Sequence, residues 1–171
     1  APAPAPAALS PLVRGSILHR CLEEPARNAA VDLDAILTEY PDVQELEAEV
    51  RARLRSELSG ILRGLLGNDE LSWIFKQQLS AYSELPFLLR SGTRIVSGVI
   101  DRLVVREKKG YVIDYKAIAV ESAETLQAWI DHYRPQVRVY CEAAKELFRL
   151  ESVEGYLLFL DSGRLALTVK I

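Results

Sequence analysis

The sequence contains no methionine, only two cysteines and no long apolar segment. A helix that crosses a membrane needs about 20 consecutive apolar residues, so the sequence predicts neither a membrane span nor a membrane partner. Cys21 and Cys141 can form at most one disulfide. This scarcity indicates a reducing compartment, and we expect the protein in the cytoplasm. Because even the first residue is not methionine, we also expect a fragment of a longer polypeptide.

The chain also lacks a large excess of positive or negative residues. The chain has 21 Lys and Arg against 24 Asp and Glu, which gives a net charge of -3 and a pI near 5.5. Proteins that bind nucleic acid through their own surface are normally basic. The sequence therefore predicts that strong affinity for a polyanion would come from elsewhere, and a neighbouring domain is the natural source.

Length and composition predict one domain behind a short linker. The chain has 171 residues, of which 49% are hydrophobic, enough for a substantial core. Residues 1–9 are mostly alanine and proline and lack the regions of a signal peptide, so we interpret them as an extended linker. The domain then spans residues 10–171, with a helical part at 10–80 and a sheet with one long helix at 82–171.

Hydrophobic periodicity and turn residues predict the elements of both parts. Four helices are expected first, at Ser10 to Pro25, Val31 to Tyr40, Pro41 to Leu65 and Leu71 to Leu79. Then follow a strand from Tyr82 to Arg90, in which Pro86 suits a sheet edge, a hairpin, a helix from Glu121 to Leu150 that could kink at Pro135, and a second hairpin at 153–171. This order predicts an α/β fold with a mixed sheet.

The segment from Ser97 to Ala117 carries polar residues inside two β-branched runs. The runs and the charged tip between them predict an antiparallel hairpin. A two-residue loop at 108–109 would place Asp101 opposite Lys116, with Asp114 on the same face. Any loop of even length brings these three side chains to one face, whereas an odd loop without a bulge separates Asp101 from the others.

Two carboxylates and an ammonium on one face of an apolar sheet allow two interpretations. Burial of such charges is costly without partners, and a bound cation would offset the cost. Neighbouring aspartate oxygens are typical ligands of Mg²⁺ or Mn²⁺, and a nearby lysine suits a phosphate or a hydroxide. The alternative is a salt-bridged hairpin, in which Lys116 pairs with Asp101 or Asp114 and no ion binds.

The same residues resemble the core motif of the PD-(D/E)XK nuclease superfamily, and specifically of its RecB-like branch. The core is Gly98-x-x-Asp101 followed by Asp114-x-Lys116. Three flanking segments resemble the branch in order and spacing, namely Gly15-Ser16-Ile17-Leu18-His19, Glu84-x-Pro86-Phe87 and Tyr133-x-x-Gln136-x-x-x-Tyr140. The resemblance covers most of the chain, from Gly15 to Leu150.

The resemblance implies a restriction-endonuclease-like mixed β-sheet flanked by helices, with a helical N-terminal elaboration. It also implies metal-dependent hydrolysis of DNA, with Mg²⁺ or Mn²⁺ held by His19, Asp101, Asp114 and the backbone carbonyl of Tyr115. Without the resemblance, a helical histidine is more often a cap or a surface residue. Some members carry an iron–sulfur cluster on four cysteines. Because this chain has two, the resemblance implies a member with no iron–sulfur cluster.

The resemblance also implies roles for residues around the metal. Lys116 would orient the attacking water or stabilise the transition-state charge, and Glu84 would assist metal or water binding. Gln136 would act near the scissile phosphate, and the expected contacts to the DNA backbone are Tyr133, Arg134, Gln136 and Tyr140. The alternative for the tyrosines is a place in the core. Ala117 stands where the family often has a hydroxyl residue, which puts one phosphate contact in doubt.

RecB-like domains without a cluster often form the C-terminal end of UvrD-type helicases in double-strand-break repair. We therefore expect an exonuclease module that receives single-stranded DNA ends from a helicase motor, on the same longer chain or in a complex. The phosphate-binding motif GxxxxGK[ST] is missing from this chain, so the motor would lie outside it. Two alternatives stay open: a catalytically silent nuclease-fold scaffold for subunit docking or DNA guiding, and a stand-alone structure-specific endonuclease.

Overall fold

The computed structural model describes residues 9–26, 30–76, 80–91 and 93–171. Its helical part contains α1 (Pro11–Ala26), α2 (Leu33–Thr38), α3 (Pro41–Gln44), α4 (Ala48–Leu66) and α5 (Ser72–Phe75). Then follow β1 (Ala81–Ser91), β2 (Arg94–Arg106), β3 (Lys109–Lys116), α6 (Ala123–Phe148), β4 (Ser152–Phe159) and β5 (Arg164–Lys170). The predicted order of helices, three strands, a long helix and two strands is confirmed. Residues 1–8 of the predicted linker lie outside the described residues.

The five strands form one sheet in the order β1-β2-β3-β4-β5. β3 and β4 are parallel and are connected through α6, whereas the other neighbouring strands are antiparallel. The predicted α/β fold with a mixed sheet is therefore confirmed. β1 lies at an edge of the sheet, where a proline such as Pro86 is tolerated.

Helices cover both faces of the sheet. Since successive residues of a strand face opposite sides, neighbouring residues of β3 pack against different helices. Ile113 of β3 belongs to a core shared with the N-terminal helices, which contribute Ile17, Leu18, Leu22, Leu58 and Leu62. Val112, its neighbour, belongs to a second core shared with α6, which contributes Val137, Cys141, Ala143 and Ala144. None of the helices in the described ranges is both long and apolar enough to cross a membrane.

The prediction of one helix from Pro41 to Leu65 is wrong, because α3 ends at Gln44 and α4 begins at Ala48. Glu47 between them has extended backbone, with ψ 148°. The side-chain amide of Gln44 donates a hydrogen bond of 3.0 Å to the carbonyl of Leu37 in α2. This contact holds α3 across the end of α2, and hydrophobic periodicity cannot show such a tertiary contact.

One helix end also differs from the prediction. α5 ends at Phe75, and Lys76 has extended backbone with ψ 138°, while the rest of the predicted helix, 77–79, lies outside the described residues. α6 continues through Pro135 as one helix.

The turn between β2 and β3 lies one residue earlier than predicted. Arg106 pairs with Lys109, so the two-residue loop is 107–108 rather than 108–109. Glu107 has the left-handed φ of 55° that tight hairpin loops often need. The loop length is still even, so the predicted common face is kept, but Asp101 lies beside Asp114 and not opposite Lys116.

Candidate active site

Three carboxylates form a row across neighbouring strands at one end of the sheet. The two β1 neighbours of Glu84 pair with the two β2 neighbours of Asp101, so Glu84 and Asp101 lie at the same level of the sheet. Asp101 directly precedes the first β2 residue that pairs with β3, and Asp114 directly follows the last β3 residue that pairs with β2. We call Glu84, Asp101 and Asp114 the acidic row. The sequence predicted its members, and the strand register brings them together.

Asp101 occupies the centre of the acidic row, and its side chain is 13% exposed. The backbone N–H of Tyr115 donates a hydrogen bond of 2.6 Å to its Oδ2, and Oδ1 lies 3.6 Å from Nδ1 of His19. Burial, and then the charge of Asp114, raise the pKa of the Asp101 carboxyl well above its usual range. The hydrogen bond from Tyr115 only partly opposes this rise.

Asp114 is almost fully buried, with 3% of its side chain exposed. Nζ of Lys116 lies 2.8 Å from its Oδ2, but the angles do not make a hydrogen bond. Apart from this salt bridge, no hydrogen bond satisfies Oδ2 among the residues that the structure describes. Burial raises the pKa of Asp114, and Lys116 opposes the rise. A buried carboxylate oxygen with unused acceptor capacity is suited to a cation.

Lys116 lies between the acidic row and α6. Its Nζ is 4.2 Å from the centre of the Tyr133 ring, close enough for a cation–π contact. The salt bridge that the sequence left as an alternative is therefore formed, between Lys116 and Asp114. It does not account for the whole cluster, because one ammonium faces three carboxylates.

His19 reaches the acidic row from α1, where its ring meets the Tyr115 ring edge to face with centres 5.5 Å apart. Burial, and then the charge of Lys116, lower the pKa of His19 to about 4. The imidazole is therefore neutral near pH 7, which is the form that binds metals. Gly15, one turn earlier, lies against Ala117, since a Cβ built there would be 3.6 Å from the Cβ of Ala117.

Glu84 is held in an unusual backbone conformation, with a φ of 48°. Such a left-handed residue other than glycine costs on the order of 1–3 kcal/mol and is enriched at functional sites. Burial and the charge of Glu23 raise the pKa of Glu84. One ligand atom each from His19, Glu84 and Asp101 lie within 4.8 Å of one another. Oxygen donors with one imidazole nitrogen fit Mg²⁺ or Mn²⁺.

An open cleft of about 550 Å³ is lined by His19, Glu84 and Lys116. One wall is α1, including Gly15, and the floor includes Glu84 and Tyr115. Lys116 and Ala117 form the side at the end of β3. Glu84 is the member of the acidic row that lines this cleft, so the cleft meets the row at Glu84.

Helix α6 brings three of the four predicted DNA-contacting residues toward the site. Tyr133 contacts Lys116, and Nε2 of Gln136 donates a hydrogen bond of 2.8 Å to the hydroxyl of Tyr140. Both tyrosines are half-buried beside the core, so the core alternative describes their rings, while the hydroxyl of Tyr140 makes a polar contact. Arg134 is 44% exposed and pairs with Asp131 at 2.6 Å, and no contact brings it to the acidic row.

Sequence reasoning missed several residues near the site. Trp129 stacks on Tyr133 with ring centres 5.9 Å apart, and their i, i+4 spacing was the available signal. Glu23 has the same spacing from His19 and acts on the charge of Glu84. Arg102 and Ser83, which lie next to the acidic row, gave no signal in the sequence pattern.

Comparison with known proteins identifies the same family as the motifs. The family model of the PD-(D/E)XK nuclease superfamily matches residues 1–168. The ATP-dependent helicase/nuclease A subunit of Streptococcus mutans is 24% identical over 161 residues, which is 91% of this chain and 13% of that protein. The protein of the same name from Streptococcus agalactiae is 23% identical over 161 residues, which is 91% of this chain and 13% of that protein. The one from Streptococcus pneumoniae is 25% identical over 153 residues, which is 85% of this chain and 12% of that protein. The chain thus spans a small part of the length of these curated relatives.

A solved structure described as "Crystal structure of SSO0001" aligns with 91% of this chain and 64% of its own, at a TM-score of 0.34 and 18% sequence identity. A likeness this weak adds nothing on the fold.

Proposed function

The chain belongs to the PD-(D/E)XK nuclease superfamily, and from this premise we propose that it is a metal-dependent deoxyribonuclease. The observation that carries the proposal is the acidic row, in which the Lys116 ammonium, 2.8 Å from Oδ2 of Asp114, is the one cationic group among the described residues that pairs with the three carboxylates. One ammonium beside three carboxylates leaves negative charge that a divalent cation would compensate.

Asp101 and Asp114 would hold the ion with His19 and the backbone carbonyl of Tyr115, and Glu84 would assist. When bound, Mg²⁺ or Mn²⁺ lowers the pKa of water and offsets charge on the phosphate. His19 supplies a neutral nitrogen because its pKa is about 4. The hydrogen bond from Tyr115 N–H keeps Asp101 in one orientation.

Lys116 would hold the attacking water or a phosphate oxygen. Its ammonium is placed by Asp114 on one side and by the ring of Tyr133 on the other, so it is positioned before DNA arrives. The Gln136 amide and the Tyr140 hydroxyl are already hydrogen-bonded to each other. They would exchange that bond for contacts to the DNA backbone, and Arg134 would contact the backbone further out.

We propose that the substrate is a single-stranded DNA end and that the activity is exonucleolytic. The curated relatives, which are named as subunits of an ATP-dependent helicase/nuclease, support a module that works beside a helicase motor. The net charge of -3 also supports a partner that supplies DNA affinity. Within the chain, residues 10–171 would form the nuclease domain behind the linker at 1–9, and the cytoplasm would be its compartment.

The test is cleavage of linear end-labelled and circular single-stranded DNA in Mg²⁺, Mn²⁺ or EDTA. We expect metal-dependent shortening of the linear strand only, with the loss of nearly all activity in Asp114→Asn. The matched control is Asp161→Asn, which removes an aspartate charge that pairs with Arg14 at 2.6 Å and lies outside the acidic row. Cleavage of the circle would instead establish an endonuclease. No cleavage, together with no Mn²⁺ binding by calorimetry, would leave the catalytically silent scaffold.

A further inference from the structure

The guanidinium of Arg102 is buried directly behind the acidic row. It follows Asp101 in β2, and only 2% of its surface is exposed. Its side chain contacts the end of α5, on the face of the sheet opposite α6. A buried arginine normally has a carboxylate partner, since the burial of an uncompensated charge is costly.

The three hydrogen bonds of Arg102 all go to neutral acceptors among the described residues. Nε donates to the carbonyl of Ile74 at 2.8 Å, and one terminal nitrogen donates to the carbonyl of Lys76 at 3.0 Å. The other terminal nitrogen donates to Oγ of Ser83 at 3.0 Å. No carboxylate is among these partners, and the guanidinium acts as a fork that joins β2 to two other segments, the end of α5 and β1.

The bond to Ser83 matters because Ser83 precedes Glu84. Ser83 pairs with Arg102 and Leu85 pairs with Ile100, so both neighbours of Glu84 keep the regular ladder. Of these three successive residues only Glu84 takes a left-handed φ, of 48°, and a strained backbone persists only where its surroundings fix it. Its carboxylate then lies within reach of His19 and Asp101.

We propose that Arg102 is a positioning residue which, through the hydroxyl of Ser83, holds Glu84 toward the metal site. The proposal rests on the proposed function, because it requires that the acidic row binds a divalent cation. Arg102 would not be a ligand itself, because its side chain is bound to the end of α5 and to Ser83, on the face of the sheet opposite α6. Loss of its link to β1 would free the backbone of Glu84 without removing a ligand.

The test is a calorimetric titration of the full chain with Mn²⁺ in the absence of DNA. Ser83→Ala removes the link to β1 and leaves the two bonds from Arg102 to the end of α5. We expect about 10-fold weaker Mn²⁺ binding, the lower end of the effect of groups that orient metal ligands. The matched control is Ser122→Ala, which removes the side-chain cap of α6 at Thr125, lowers the melting temperature and leaves Mn²⁺ affinity unchanged.

A double-mutant cycle with Glu84→Gln separates positioning from general support. If Ser83 acts through Glu84, Ser83→Ala has no further effect on Mn²⁺ affinity in the Glu84→Gln background. An equal loss in both backgrounds, or no loss in the wild-type background, would overturn the proposal. Arg102→Lys, which can keep only part of the fork, should weaken Mn²⁺ binding at least as much as Ser83→Ala.

Asp114→Asn in the same titration distinguishes the two proposals. If it abolishes Mn²⁺ binding while Ser83→Ala does not weaken it, the positioning role alone fails. If Asp114→Asn leaves Mn²⁺ binding unchanged, the metal site itself fails, and the positioning role fails with it.

Discussion

The acidic row should destabilise the metal-free protein, so that the removal of one charge increases stability while it removes function. Asp101→Asn is the best test because Asp101 lies beside Asp114 and Glu84, and both add to its raised pKa. The asparagine can keep its oxygen as acceptor for the N–H of Tyr115, now 2.6 Å from Oδ2. The pair of Lys116 with Asp114 at 2.8 Å also remains.

The sign of the effect follows from the direction in which folding moves the pKa. Burial raises the pKa of Asp101 on folding, so its contribution to stability is present at low pH and is lost as pH rises through the raised pKa. Each unit by which folding raises the pKa of a carboxyl lowers the free energy of unfolding by about 1.4 kcal/mol at pH values above the raised pKa. By analogy with apolar replacements of buried charges, we expect Asp101→Asn to stabilise the metal-free protein by about 1–3 kcal/mol near neutral pH. For a chain of this size that raises the melting temperature by roughly 3–9 °C.

The assay is thermal unfolding followed by circular dichroism near pH 7, first in EDTA and then in excess Mn²⁺. Wild type should gain about 2.7 kcal/mol at a metal concentration 100 times its Kd, whereas Asp101→Asn should gain little. Asp161→Asn is the matched control, since an exposed pair contributes at most about 1 kcal/mol. A melting temperature of Asp101→Asn below wild type in EDTA, or an equal Mn²⁺ effect on both proteins, would refute the reasoning.

Three further predictions concern other residues. Lys116→Met should retain Mn²⁺ binding, because Lys116 is not a ligand, but should lower strand cleavage about 100-fold or more; calorimetry and a gel assay measure the two effects. Glu154→Gln should cost about 2 kcal/mol near pH 7 in urea unfolding, because the Tyr156 hydroxyl and two lysines lower the pKa of Glu154 to about 2. The difference in unfolding free energy between wild type and Glu154→Gln should vanish as pH falls from 4.5 to 2, because a carboxyl with a lowered pKa stabilises the fold only while it is ionised. Gly98→Ala should destabilise by about 1–3 kcal/mol in the same assay, because its Cβ would lie 2.8 and 2.9 Å from ring carbons of Phe87.

The grouping of the site residues could be predicted because it depends only on strand parity. The loop at 107–108 differs from the predicted 108–109, and this shift changes which residues are opposite. A shift of the pairing by two residues keeps every side chain on its face. Asp101, Asp114 and Lys116 therefore meet as predicted, although their partners in the register differ.

The support of the site could not be predicted from the pattern. In the sequence pattern Arg102 is an ordinary charged residue of a strand. Its burial depends on hydrogen-bond acceptors 19 to 28 residues away in the chain. The left-handed backbone of Glu84 likewise has no glycine or asparagine to signal it. Both features arise from contacts between α5, β1 and β2, and periodicity describes one element at a time.

On the proposed function, the charges of the site account for the action of an acidic chain on DNA. With His19 neutral, three carboxylates and Lys116 sum to −2 when all are ionised, which repels a phosphate. Without metal the raised pKa values of Asp101 and Asp114 favour bound protons that lessen this charge. A divalent cation held by the acidic row would compete with those protons and offset a charge of −2, so that a phosphate would meet Lys116 at a site without excess negative charge. On the proposed function, affinity for the scissile phosphate is therefore created by the cation, and a neighbouring domain needs to supply only the contacts to the rest of the strand.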